Sequence, residues 1–173
     1  MTARNTTPSP LTQPGGIARH GAAIFDDPKH DPYLARHKVA EPAVCKDCAA
    51  VFHRGRWQWT AAPAGAQAVL CPACHRIRDR LPAGTLTLEG GFIAGHRAEL
   101  LAIIRNQEKR EKGEHPLHRI MALEDAADRI VVTTTDVHLP RQIGEALKDA
   151  HQGELDIRFG AGEYSVQVNW KRW

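Results

Sequence analysis

Two Cys-x-x-Cys pairs, Cys45-Lys-Asp-Cys48 and Cys71-Pro-Ala-Cys74, hold all four cysteines of this 173-residue chain. Each pair can turn as a tight knuckle that aims two thiolates at one point. The 22 residues between them, 49–70, can fold as a hairpin that closes a tetrahedral four-sulfur site. Loop-closure cost grows slowly with length, so the spacing is no obstacle. The competing readings are a redox dithiol and two structural disulfides. A thioredoxin-type dithiol needs one pair at a strand–helix junction, not two matched pairs flanking a basic hairpin. The segment Met1–Gly16 lacks the apolar stretch of a secretory signal, so a reducing, cytoplasmic setting is expected and disulfides are not. The spacing therefore predicts that Cys45, Cys48, Cys71 and Cys74 hold Zn2+, with every coordination position filled and the metal structural rather than catalytic. His53 and His75 lie nearby, but a complete cysteine set leaves them unneeded as ligands.

Around this module the chain changes composition twice. Residues 1–43 hold Pro8, Pro10, Pro14, Pro28, Pro32 and Pro42 among the chain's 11 prolines, and no helical or strand period survives. An extended or disordered arm is expected there, with Phe25 and Tyr33 available to dock on a partner or back on the body. Residues 44–80 form the expected zinc ribbon. Residues 92–173 read as an α+β domain. Leu100, Leu101 and Ile104 follow helical spacing over Ala94–Lys112, with Gly113 as the stop. Arg119–Glu124 reads either as a strand or as an extension of that helix, and β-branched Arg129–Thr135 reads as a strand. Asp136 suits a helix cap, Pro140 the first turn, and Ile143, Ala146, Leu147 and Ala150 give an apolar stripe ended at Gly153. Leu155, Ile157 and Phe159 alternate with Asp156 and Arg158. After Gly160-Ala-Gly162, the residues Tyr164, Val166, Val168 and Trp170 alternate in turn, which predicts a hairpin with one apolar face. The expected fold is α+β: a small four-cysteine zinc ribbon, then an α-β-β-α-β-β domain with helices on one face of an antiparallel sheet.

Net charge is only +3, but Lys46, Arg54, Arg56, Arg76, Arg78 and Arg80 face only Asp47 and Asp79 within the cysteine module. Guanidinium groups suit bidentate phosphate contact, and Trp rings offer a stacking platform for bases. Arg54, Arg56, Trp57, Trp59, His75, Arg76, Arg78 and Arg80 are therefore the candidate RNA contacts. For Trp57 and Trp59 the competing role is to cover the small metal core. For the arginines it is pairing with Asp47, Asp79 or acids of the C-terminal domain.

Catalytic signatures are missing. No nucleophile elbow, phosphate loop or dinucleotide fingerprint occurs, and Gly90-Gly91 reads as a turn. His115 and His118 beside Glu114 suggest a second metal site, but Pro116 breaks any helix that would align them. Asp136 and His138 suggest acid–base chemistry, which capping explains at lower cost. No apolar run approaches the roughly 20 residues of a membrane helix.

Cys71-Pro-Ala-Cys74-His-Arg-Ile-Arg-Asp-Arg-Leu-Pro-Ala-Gly84, the stretch Asn106…Glu108…Glu111…His115-Pro-Leu, the run Thr133-Thr-Thr-Asp-Val-His-Leu-Pro140 and the Gly-Glu-Leu-Asp-Ile run from Gly153 resemble an uncharacterised bacterial zinc-ribbon family named after a Burkholderia locus (BCAM-type). The resemblance covers the chain from about Phe25 onward. More loosely, the chain is similar to the N-terminal region of the archaeal and eukaryotic large-ribosomal-subunit export adaptor, whose paired knuckles are followed by α+β modules. The resemblance implies translation-related RNA binding; spacing and charge by themselves imply a basic zinc ribbon. The expected protein is non-enzymatic and binds the ribosome or structured RNA, in hibernation, assembly or quality control. The alternatives are an adaptor whose ribbon recognises an acidic protein, and a thiol or hydrolytic enzyme using His75, His115 or His138.

Overall fold

The computed structural model describes residues 31–35, 39–161 and 163–173. Most of the proline-rich arm, including Phe25, and Gly162 in the last turn lie outside them. Three described parts of the arm have defined places: the four-residue helix α1 (Pro32–Ala35), the residues from Val39, and Ala43, which opens the first strand.

The cysteine region builds a four-stranded sheet from β1 (Ala43–Cys45), β2 (Val51–His53), β3 (Arg56–Gln58) and β4 (Gln67–Val69), followed by α2 (Pro72–Asp79). The strand order is β3-β2-β1-β4, antiparallel except for β1 against β4. Arg54 and Gly55 both take positive φ, 53° and 75°, which is the geometry a two-residue hairpin turn requires. Ala43, Ala50 and Val51 are fully buried, but large apolar groups are few.

The second sheet is the larger. It contains β5 (Gly84–Glu89), β6 (Ile120–Asp125), β7 (Arg129–Thr134), β8 (Glu154–Phe159) and β9 (Val166–Lys171), in the order β6-β7-β5-β9-β8. Two helices lie against it, α3 (Phe92–Glu114) and α4 (His138–His151). Register places one residue from each strand in a continuous apolar row, Leu123–Val132–Leu86–Val168–Ile157. A second row runs Ile130–Leu88–Trp170–Leu155. Period-two alternation turns both rows toward α3 and α4, where Ile93, Leu100, Ile104, Leu139, Ile143 and Leu147 complete the core.

Three expectations are corrected. The sheet is mixed rather than antiparallel, because β5 pairs parallel to β9. The fifth strand, β5, precedes residue 92 and is central, so the apolar layer begins earlier in the chain than the helical stripe of α3. Helix α3 runs through Gly113 and stops at His115, ahead of Pro116, because a single glycine costs a helix only about 1 kcal/mol. The ambiguous segment after it is a strand, β6, with a register shift between Ile120 and Ala122.

Candidate metal centre and the surfaces around it

The first knuckle lies between β1 and β2, where Cys45 N–H donates to Ala50 O and Ala49 N–H to Cys45 O, with Ala49 at φ 63°. The second opens α2: Cys71 takes the cap position, its Sγ accepts from Cys74 N–H, and Pro72 supplies the preset φ of a first helical residue. Cys71 N–H also donates to Cys45 Sγ, 3.3 Å, which joins the knuckles. The four sulfurs lie within 4.8 Å of one another, and Cys45, Cys71 and Cys74 are buried.

This donor set fits a tetrahedral ion. Four sulfurs at about 2.3 Å from zinc stand about 3.8 Å apart; Cys48 Sγ and Cys71 Sγ are 3.7 Å apart, far beyond a disulfide bond. Charge argues the same way. Burial pushes the Cys71 thiol far up, and it brings Cys74 to about 11 despite the hydrogen bond from Arg119. Burial also opposes ionisation of Cys45, but backbone N–H groups of Cys71, Asp47 and Cys48 outweigh it and bring that thiol down to about 7. A cation is what such a buried set needs in order to be fully thiolate.

Sequence pattern marks Arg119 only as the first residue of an ambiguous segment. It stands just before β6 and is 6% exposed, with its guanidinium directed into the sulfur cluster. Nη1 donates to Cys74 Sγ at 3.3 Å, and Nη2 to Cys48 Sγ at 3.0 Å and Cys71 Sγ at 3.6 Å, while Nε donates to Pro116 O. Burial would favour the neutral form, but the sulfurs of Cys48 and Cys74 outweigh it and hold the guanidinium charged. No local pattern reveals this role, because its sulfur partners are 45 to 71 positions away.

The proposed RNA contacts separate into distinct places. Arg76 is 4% exposed and turned inward: it pairs with Asp31 at 2.7 Å, lies 4.4 Å over the Tyr33 ring, and donates to Leu81 O. Its role is to stitch the arm to α2, so it is withdrawn as a phosphate contact. Tyr33, which also donates to Asp79 Oδ2, docks back on the body. Arg78 forks onto Asp47 with bonds of 2.8 and 2.6 Å. Arg54, Arg56 and Arg80 are exposed, with no ion pair among the described residues. His75 is half-buried beside the Tyr33 ring and 3.7 Å from Asp79. Trp57 is half-buried on the cysteine cluster and tilts against Phe52, so its place is core.

Trp59 differs. It is 40% exposed, its indole N–H donates to Lys112 O, and Arg119 lies 5.7 Å beneath the ring. Arg105, Lys109 and Lys112 of α3 join it around one shallow pocket. The pocket's one acid, Glu108, is occupied by Ile120 N–H, so the three cations face solvent without an ion pair among the described residues. Sequence reasoning set Arg105 and Lys109 on the polar faces of α3 beside Glu99 and Glu108 and gave them no role; the recurrence of Arg105, Lys109 and Lys112 was the available signal.

Comparison with protein-family models, with curated proteins and with solved structures returned no match. No helix among the described residues is long and apolar enough to cross a membrane.

Proposed function

We propose that this is a non-enzymatic, zinc-stabilised RNA-binding protein that works on the ribosome or on structured RNA, in hibernation, assembly or quality control. Zn2+ would be held by Cys45, Cys48, Cys71 and Cys74, where it supplies folding energy and no open coordination position. The observation that carries the reading is Trp59, an exposed ring beside Arg105, Lys109 and Lys112, none of which makes an ion pair among the described residues although Glu108 shares the pocket. A stacking surface flanked by unpaired cations is what single-stranded or looped RNA requires. The exposed Arg54, Arg56 and Arg80 would extend phosphate contact, and the looser resemblance, to the large-ribosomal-subunit export adaptor, supports the same direction.

The test is binding to ribosomes and to structured RNA as salt rises. Replacing Arg105, Lys109 and Lys112 with Ala should flatten the slope of log affinity against log salt by about 0.7 per lost contact, or about 2 for the three. Trp59→Ala should cost roughly 1–3 kcal/mol with little change in slope. If the wild-type chain binds neither ribosomes nor RNA at low salt, the reading fails. Partner capture that survives nuclease would replace it with the acidic-protein adaptor.

A further inference from the structure

The pocket beside Trp59 has a volume of about 410 Å3 and is walled chiefly by one stripe of α3: Arg105, Glu108, Lys109 and Lys112. Helix positions three, four and seven apart share a face, which is why these four side chains meet. Arg119 lies over the Trp59 ring, and the indole N–H is spent on Lys112 O. The exposed part of the ring therefore offers stacking area but no hydrogen bond. Any hydrogen bond that tells one base from another must come from the α3 stripe.

Glu108 is the acid of that stripe. Its Oε1 accepts from Ile120 N–H at 2.8 Å, which ties the start of β6 to α3. Its Oε2 makes no hydrogen bond or ion pair among the described residues, and it is solvent-accessible rather than buried. Anchoring β6 needs one oxygen and leaves the other unexplained. That oxygen repels phosphate, so phosphates belong with the cations on either side of it. A carboxylate only accepts, so whatever Glu108 reads must be a donor. Single-stranded RNA is read on the Watson–Crick edges of its unstacked bases. Uracil presents one N–H there, between two carbonyls. Adenine and cytosine each set a ring-nitrogen acceptor beside the amino group. Guanine alone sets two donors side by side, N1–H and N2–H2, and a purine covers more of an indole than a pyrimidine does.

We propose that the Trp59 pocket is a guanine site for single-stranded RNA. The base stacks on the exposed side of Trp59, its N1–H and N2–H2 donate to the Glu108 carboxylate, and the flanking phosphates contact Arg105, Lys109 and Lys112. The site rests on the RNA reading above and adds a base preference to it. The test titrates the full, metal-loaded chain at low salt with oligouridines of about nine nucleotides. Their central base is guanine, hypoxanthine, adenine, cytosine or uracil. Guanine should bind at least about fivefold tighter than adenine, cytosine or uracil. Hypoxanthine, which lacks the N2 amino group, should fall between. Glu108→Gln keeps an acceptor for Ile120 N–H but removes the charge, and should bring guanine to within about twofold of uracil with an unchanged melt. Glu108→Ala should lose the same preference and also lower the melt, which separates reading a base from anchoring β6. If no strand binds, the RNA reading fails and the guanine site with it. If strands do bind, three results overturn the guanine site alone: guanine no tighter than uracil, hypoxanthine equal to guanine, or a guanine preference that survives Glu108→Gln.

Discussion

Arg119 and Asp136 are both buried charges, and they are satisfied in opposite ways. Arg119 is surrounded by three sulfurs that outweigh its desolvation. Removing one partner of such a set leaves the others uncompensated, at a cost of about 3–5 kcal/mol. Arg119→Ala should lower stability by that order and speed loss of metal to a chelator; a chromogenic zinc assay beside a thermal melt measures both. Arg119→Lys should fall between, because a point charge cannot reach three sulfurs at once. Asp136 is held above the ordinary carboxylate value, 3.8, by burial, with His118 and the α4 N–H groups partly offsetting it. A raised carboxyl binds protons more tightly in the folded state than in the unfolded one. Its contribution to stability is therefore present below 3.8 and is lost as pH rises through the folded value. Against wild type, Asp136→Asn should give a flatter stability profile between 3.8 and the folded value, and a parallel one above it, read from urea midpoints across pH. Profiles parallel throughout would mean that the carboxyl is not titrating differently in the two states.

At the scale of elements, β5 approaches the start of α4 closely at Gly84. A Cβ on Gly84 would stand 2.5 Å from Pro140 Cγ and Thr134 Oγ1, and 2.7 Å from Asp136 O. The backbone oxygen cannot swing aside, so Gly84→Ala should cost roughly 1–3 kcal/mol by overpacking and displace the start of α4, visible in a denaturant midpoint and the His138 amide shift. The elements themselves were unevenly legible. Leu155–Phe159 and Val166–Trp170 announce a hairpin because the apolar alternation and the intervening glycines lie in one short stretch, and they pair as β8 and β9. The cysteine cluster was readable for the same reason, since each knuckle carries its spacing locally. Strand β5 has the same alternation, Thr85, Leu86, Thr87, Leu88, but it is bounded by Pro82 and Gly90-Gly91, and its partners β7 and β9 lie far along the chain. Arg76 showed a charge count and hid its direction: the Asp31 that turns it inward sits in a segment whose composition reads as unstructured. The exposed cations of α3 were obscured by the acids interleaved with them, whose inward placement is a tertiary fact.

For the molecule as a whole, two buried arginines join parts that composition separates. Arg76 ties α2 to the arm and lies 5.5 Å from the Tyr164 ring near β9, and Arg119 ties the larger domain to the sulfurs. If the four cysteines hold a metal as proposed, Cys45→Ser or Cys74→Ser, or chelation, should unfold the small sheet with α2, because thiolate–metal bonds would stand in for a core that few apolar residues supply. The larger domain has its own apolar rows and should keep a cooperative melt, but a few degrees lower once Arg119 has lost ordered sulfurs. Calorimetry before and after metal removal would show one transition lost and one shifted; an unshifted second transition would mean that Arg119 carries no coupling between the two. The parallel pairing of β5 with β9 has a different consequence, one of timing. As the chain emerges in order from its amino end, β5 is made long before Gly84 can meet Val166 and Leu88 can meet Trp170. Until then one edge of the sheet's central strand stands open, its leucines half-covered, so newly made chains are most prone to adhere to one another during the interval before β9 arrives.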